Sequence, residues 1–319
     1  MARPADPTFV ADARPRVEAA LLAAVTTDDA FLTEVASHLI KAGGKRVRPL
    51  FAAGAGACGS GSVSDDVILG GVAVELVHLG SLYHDDVIDE AVTRRTVESV
   101  NARWGNLTAI LAGDFLLAKA SEIAAGLGTE VAGLLAATIG RLCEGEVGEL
   151  RSAYDVSRTE AAYLSSIRGK TASLFATACR IGAIVGGLPR ERVDALTAFG
   201  DGYGMAFQIV DDVLDLTATA EQLGKPAGHD LVEGVYTLPV LRALAAPGAD
   251  ALKAMLGSPL EEEALLPALD LVRADGAVPA SVAIASDYVE GAIDALAPLG
   301  ESPAVAWLSA AARSLVADL

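Results

Sequence analysis

The stretch from Val67 to Tyr83, "VILGGVAVELVHLGSLY", is apolar on most faces of any helix it could form. Such a helix belongs inside a protein, enclosed by other helices, so the chain needs a multi-helix core built around it. Directly after it comes "HDDVIDE", which places Asp85, Asp86 and Asp89 within one turn. Carboxylates at that spacing share a helix face and repel each other. The pattern returns at 210–216 as "VDDVLDL", again closing an apolar segment, "YGMAFQIVDDVL". A surface cluster of acids would sit in polar surroundings. These clusters finish enclosed helices, which points to a cavity that they face.

Composition narrows the class. Ala, Leu, Val and Gly dominate, aromatics are only 5%, and the segments between Gly- or Pro-marked joints are long, all of which favours helix. A formal charge of -18 argues against nucleic acid and against electrostatic docking on anionic membranes. The mean hydropathy of +0.42 raises the question of membrane spans. Yet no stretch reaches the roughly 18 uninterrupted apolar residues of a spanning helix, and the longest uncharged run, "PLFAAGAGACGSGSVS", is rich in Gly and Ser. The start, "MARPADPTFVADARPRV", lacks the apolar centre of a signal peptide. Cys58, Cys143 and Cys179 are odd in number and far apart, which fits reduced thiols and a cytoplasmic location.

Helices are predicted over 14–25, 29–42, 46–57, 65–90, 95–105, 108–126, 129–153, 158–185, 189–217, 232–245, 248–256, 260–274, 278–297 and 302–317. "DDA" at 28–30 and "SDD" at 64–66 look like helix starts, with acids near the positive end of the dipole. No linker or composition shift divides the chain, so the expectation is an all-α fold in one domain spanning 1–319. The longest break, 217–237, carries Gly, Pro and charges and reads as a functional loop.

One DDxxD alone is most simply a solvated helix end. Two, both closing apolar helices, favour a cation site. Every candidate ligand is an oxygen, which suits a hard cation such as Mg²⁺. Zinc does not fit, because His38, His78, His84 and His229 are scattered. Mg²⁺ commonly completes its shell with substrate phosphates, so two clusters could hold several ions around one diphosphate. The basic residues agree. "GGKRVRP" sets Lys45, Arg46 and Arg48 behind two glycines, and "TRRT" sets Arg94 and Arg95 shortly after Asp89. Surface ion pairs would be the plain explanation, but guanidinium groups also grip phosphate oxygens in bidentate fashion. "RGKT" at 168–171 is not a nucleotide-binding loop, since Leu164 stands where the earlier glycine belongs and no strand precedes it.

The ordered set "GGKRVRP", "ELVHLGSLYHDDVIDEAVTRR", "LAGDFLLAKA", "GKTASLF", "FGDGYGMAFQIVDDVLD" and "GKPAGHDLVEGVYTLP" resembles the trans-isoprenyl (polyprenyl) diphosphate synthases, from about Gly43 to about Leu241. The resemblance implies a single bundle of long helices around a deep central cavity, a homodimer, and head-to-tail condensation of isopentenyl diphosphate with an allylic diphosphate. By the family's pattern Asp85, Asp89 and Asp211 are the principal Mg²⁺ ligands. Asp86, Asp212 and Asp215 support them, directly or through water. Arg94 and Lys225, helped by Lys170, would grip the allylic diphosphate. Lys45, Arg48, His78 and Arg95 would hold isopentenyl diphosphate, with Arg46 in the same basic group. Thr171 and Gln208 would face the forming carbocation. Two departures stand out. "RRT" replaces a frequent RRG, a change expected to be harmless. Val235 replaces a frequent lysine, a lost contact that Arg180 or Arg242 could replace.

Product length should be written along the helix before Asp85, where Val77, Gly80 and Ser81 lie one and two turns below. Short-product members of the family tend to carry an aromatic at position 80 or 81. Small residues there leave room for several further additions, with one helical turn roughly matching one isoprene unit, and the resemblance implies a long product, about C30–C50, as in a quinone side chain. Release of such a product implies at most transient membrane contact. Shorter-chain synthases, a class I terpene cyclase and a non-catalytic subunit of a heteromeric synthase are the competing readings. A cyclase would not need the "GGKRVRP" site, and a non-catalytic subunit would not keep both aspartate clusters.

Overall fold

The protein's structure, a computed structural model, describes residues 6–218, 227–274, 276–317 and 319. The described residues are helical almost throughout, with one two-stranded exception. Helices α1 (Thr8–Ala24), α2 (Ala30–Ala36), α3 (His38–Lys41), α4 (Val47–Ser60) and α5 (Asp65–Ile88) lead to a hairpin of β1 (Thr93–Arg94) and β2 (Val97–Glu98). Then follow α6 (Val100–Trp104), α7 (Asn106–Gly126), α8 (Thr129–Leu150), α9 (Glu160–Ile167), a π-helical turn at Arg168–Ala172, α10 (Ser173–Val185) and α11 (Arg190–Thr217). Shorter helices continue from His229 to Val316.

The predicted starts hold because they are local chemistry. The Asp29 carboxylate accepts from the N–H groups of Phe31 and Leu32, and the Ser64 hydroxyl accepts from Val67 with Asp65 and Asp66 in the first turn. By length and composition α5 could cross a membrane, but 72% of its most apolar window is buried in protein, so it is a core helix.

The chain forms two compact units. The first comprises residues up to Ile139, Leu174–Gly200 and Leu296–Leu308; the second comprises Gly140–Ser173, Asp201–Ala295 and the residues from Ser309 onward. In the first, α5 packs on α7, α4 and α1. The uncharged run at 49–64 is mostly α4, buried at every position from Pro49 to Cys58. Its small residues allow close approach: a Cβ on Gly182 of α10 would lie 2.1 Å from the Ala52 carbonyl oxygen, so only glycine fits there. Phe51 fills the remaining space against Phe175, Phe199 and Trp307, with ring centroids 5.7–5.9 Å apart. The second unit has its own core, in which Tyr163, Met205, Ile209, Tyr236 and Leu269 are buried together.

Residues 95–99 are not the helix predicted for 95–105. Arg94 pairs with Val97, and the two loop residues, Arg95 and Thr96, both have positive φ (51° and 67°). That is the backbone of a tight hairpin turn, which normally uses Asn-Gly. A β-branched threonine in the left-handed region is strained. The change from RRG to RRT therefore has a structural cost. Thr96→Gly is expected to stabilise the fold by about 1 kcal/mol, read as a small rise in Tm, since the strain relieved exceeds the extra freedom of glycine in the unfolded chain.

Candidate active site

In the first unit the apolar helix α5 ends on the acidic cluster. Asp85 is half-buried and Asp89, the last residue of the turn, is exposed. Asp86 is placed differently. It is fully buried and its Oδ1 accepts from Arg94 Nε at 2.7 Å, while its carbonyl accepts from Asn101 Nδ2 at 2.8 Å. Its Oδ1 therefore folds the hairpin back and orients Arg94, a task beyond the supporting place beside the metal that the motif gives it. Burial pushes its carboxyl up, against the pull of Arg94.

The basic residues gather around His78. Burial, and after it the guanidinium groups of Arg48, Arg95, Arg46 and Arg94, hold this imidazole well below its ordinary pKa, so it is neutral. Arg46 is spent on protein contacts, and the other three guanidinium groups, of Arg48, Arg95 and Arg94, beside one neutral ring make a cradle for an anion with several oxygens. Arg48 lies over the Phe175 ring, 4.4 Å from its centroid. Arg95 donates to the carbonyls of Leu39 and Gly43 and so braces the glycine loop. Lys45 is exposed on that loop. Arg46 is not with it: its side chain is 1% exposed and bonded to Glu18 and Glu75, so it is not a substrate ligand.

In the second unit, sequence-distant residues form one chain of hydrogen bonds. The Thr171 hydroxyl donates to Gln208 Oε1 at 2.7 Å, Gln208 Nε2 donates to Asp212 Oδ1 at 2.8 Å, and the Tyr163 hydroxyl donates to Asp212 Oδ2 at 2.5 Å. Burial pushes the Asp212 carboxyl up to about 7 against those two bonds, with Asp211 and Glu149 adding to the rise. Asp211 is exposed and Asp215 buried, and Asp215 Oδ2 accepts from the Asp230 N–H at 3.3 Å. Lys170 sits on the π turn, a distortion frequent at functional sites. Its ammonium is held by Glu149 and Glu146 at 2.6 and 2.8 Å. Burial opposes its charge, but those two carboxylates keep it above the ordinary lysine range.

Both arginines proposed to stand in for a lysine at Val235 have other partners. Arg180 is bonded to Asp194 and Thr197, and Arg242 to Glu160. Lys225 lies outside the described residues. Among the described residues no three His, Cys, Asp or Glu converge into a closed metal cage. The donors still fit Mg²⁺: all are carboxylate oxygens, and Asp86 Oδ2 is buried without a hydrogen-bond donor, which a hydrated cation would supply.

Acidic helix ends, an arginine cradle and an all-α frame define an enzyme for metal-complexed phosphate esters. The comparisons with known proteins agree. The polyprenyl synthetase family model matches residues 29–270, and the chain belongs to that family. It has the all-α isoprenoid synthase fold and is a prenyltransferase. It is 39% identical to heptaprenyl diphosphate synthase component 2 of Geobacillus stearothermophilus over 98% of this chain and 95% of that one. Against nonaprenyl diphosphate synthase of Mycobacterium tuberculosis the figures are 38%, 93% and 91%. A polyprenyl synthase from Caulobacter crescentus, complexed with calcium and isoprenyl diphosphate, superposes with a TM-score of 0.90 at 34% identity, covering 97% of this chain and 96% of that one.

Proposed function

We propose that the chain condenses isopentenyl diphosphate head to tail with an allylic diphosphate and makes a long all-trans product, about C30–C50, a range supported by the heptaprenyl and nonaprenyl names of its relatives. The observation that carries this is the cradle of Arg48, Arg95 and Arg94 beside neutral His78, on the helix that ends in Asp85 and Asp89. A second anion site beside an aspartate cluster is what a two-diphosphate reaction needs and a cyclase does not.

The residues divide the work by chemistry. Lys45, Arg48, His78 and Arg95 hold isopentenyl diphosphate. Arg94, oriented by Asp86, grips the allylic diphosphate with Lys225 and Lys170. Asp85, Asp89, Asp211, Asp212 and Asp215, with Asp86 through its Oδ2, would hold Mg²⁺, which when bound offsets the charge that develops on the leaving diphosphate. As the allylic carbon–oxygen bond breaks, Arg94 and Lys170 stabilise the departing oxygens. Thr171 and Gln208 direct oxygen dipoles at the allylic cation. The double bond of isopentenyl diphosphate attacks that carbon, and the proton lost from C2 goes to the departing diphosphate. Purified protein should consume labelled isopentenyl diphosphate with Mg²⁺ and an allylic primer and extend it by several units. Turnover of an allylic diphosphate to a cyclised or hydrolysed product, with no consumption of isopentenyl diphosphate, would sink this reading in favour of a cyclase.

Asp212 gives a pH prediction. The Tyr163 bond favours its charged form, so Tyr163→Phe should raise its pKa further. The acid limb of the activity–pH profile should then move up by about one pH unit, the size expected for one hydrogen bond to a charged group. An unmoved limb would separate Asp212 from the reaction.

Assembly as a homodimer is part of the proposal. Leu107 and Leu111 on α7 are 73% and 58% exposed, apolar area that a second chain would cover. The word "component" in the name of the Geobacillus protein favours a different partner as a second reading. Activity of the purified chain alone separates the two.

A further inference from the structure

Arg46 has the residue type of a phosphate ligand, yet all five of its N–H donors point into protein. Nε gives to Glu18 Oε1 at 2.7 Å. Nη1 gives to Glu75 Oε1 at 3.2 Å and to the Gly43 carbonyl at 3.3 Å. Nη2 gives to Glu18 Oε2 at 3.2 Å and to the Ile40 carbonyl at 2.8 Å. The Glu75 side chain is 3% exposed and that of Glu18 39%. A buried arginine with two carboxylates and two carbonyls is a clamp with no capacity left for substrate.

What it clamps is the glycine loop. Arg46 has φ 51° and ψ 39°, a left-handed backbone that a non-glycine residue keeps only when its surroundings hold it there. A Cβ on Gly44 would lie 3.0 Å from Arg46 Nη1 and 2.9 Å from Arg95 Nη1, so the loop is bare where the two guanidinium groups close on it. With the Arg46 side chain turned inward, Lys45 is left outside and Arg48 enters the first turn of α4. Glu75 lies three residues before His78 on α5, so one helix face carries both the anchor of the loop and the imidazole of the cradle.

We propose that Glu18, Arg46 and Glu75 are positioning residues for the second diphosphate site. They hold the loop in the one shape that presents Lys45 and Arg48 together, and Glu18 makes α1 part of that support. This rests on reading Lys45 and Arg48 as ligands of isopentenyl diphosphate.

The test separates positioning from stability. Breaking a buried ion pair costs stability, whereas replacing the whole pair with apolar side chains is close to neutral. The double variant Arg46→Met/Glu75→Leu should therefore keep its Tm near the parent, with half-exposed Glu18 left to hydrate. Its KM for isopentenyl diphosphate should rise about tenfold, the scale of one lost charge-assisted hydrogen bond, while KM for the allylic primer and product length stay unchanged. Arg46→Lys should not rescue KM, because an ammonium cannot make the same five bonds. Glu18→Gln, at the exposed end of the clamp, should raise the same KM by a smaller factor. A folded double variant with parental KM for isopentenyl diphosphate overturns the proposal. If the double variant does not fold, Glu18→Gln decides: a rise confined to that KM supports the clamp, and no change overturns it. Lys45→Gln and Arg48→Gln are the control, since an unchanged KM in both would mean that the ligand reading itself has failed.

Discussion

Alanine at Asp85 or Asp89 is expected to lower kcat/KM by roughly 10³-fold, several kcal/mol of transition-state stabilisation, without lowering Tm. Both residues stand at the C-terminal end of α5, where the helix dipole is negative and carboxylates are unfavourable. They also repel each other at i and i+4. Removing either relieves repulsion, so the folded state loses nothing that depends on it. Asp86→Ala should behave in the opposite way. That carboxylate is fully buried and holds Arg94 at 2.7 Å, so its loss strands a guanidinium and frees the hairpin. A fall in Tm is expected there, corresponding to about 1.5 kcal/mol for a lost charge-assisted hydrogen bond, since the Arg94 side chain is 31% exposed and can hydrate. Incorporation of labelled isopentenyl diphosphate and calorimetry read the two effects separately. Near-parental turnover in the Asp85→Ala/Asp89→Ala double variant would show that the cluster is only a helix end.

The same contrast shows how far a sequence carries. Asp85 and Asp86 look alike in "HDDVIDE", and the motif alone assigns both to the metal. One residue of rotation turns Asp86 to the hairpin, and that turn depends on where Arg94 comes back in space. Arg46 repeats the lesson: its charge is legible beside Lys45 and Arg48, but its inward direction is not. Glu75 did leave a signal, as the only carboxylate within the apolar run from Val67 to Tyr83. A lone acid there needs a buried cation. Tyr163 left none, since its partner Asp212 is 49 residues away. Helix starts at Asp29 and Ser64 were legible because a cap is decided within three residues. The hairpin at 93–98 was hidden because Arg95 and Thr96 are not residues that announce a tight turn. The π turn at 168–172 likewise has no signature in "RGKTA".

Of the three residues expected to set product length, Ser81 and Gly80 should give opposite results. Gly80 faces α7: a Cβ there would lie 3.1 Å from the Gly113 carbonyl oxygen and 3.2 Å from Leu117 Cγ. Backbone cannot yield as a flexible side chain can, so Gly80→Phe should cost at least about 3 kcal/mol and appear as a large fall in Tm or loss of soluble protein. Its glycine is explained by the contact of α5 with α7, and it carries no information on the product. Ser81 is half-buried, and its hydroxyl is bonded back to the His78 carbonyl at 2.9 Å, within its own helix. It lies four residues before Asp85 and four after fully buried Val77, on the face that leads down from the cluster. An aromatic ring at Ser81 would therefore stand about one turn, roughly 5.4 Å, below the first aspartate. Ser81→Phe is expected to keep near-parental consumption of isopentenyl diphosphate in the first additions and to stop several isoprene units early. Relatives nearly equal in identity, at 39% and 38%, are named for a heptaprenyl diphosphate synthase component and a nonaprenyl diphosphate synthase, so overall similarity does not set length. Resolving the products of Ser81→Phe by chain length checks this. An unshortened product in a folded, active variant would move the ruler off α5 altogether.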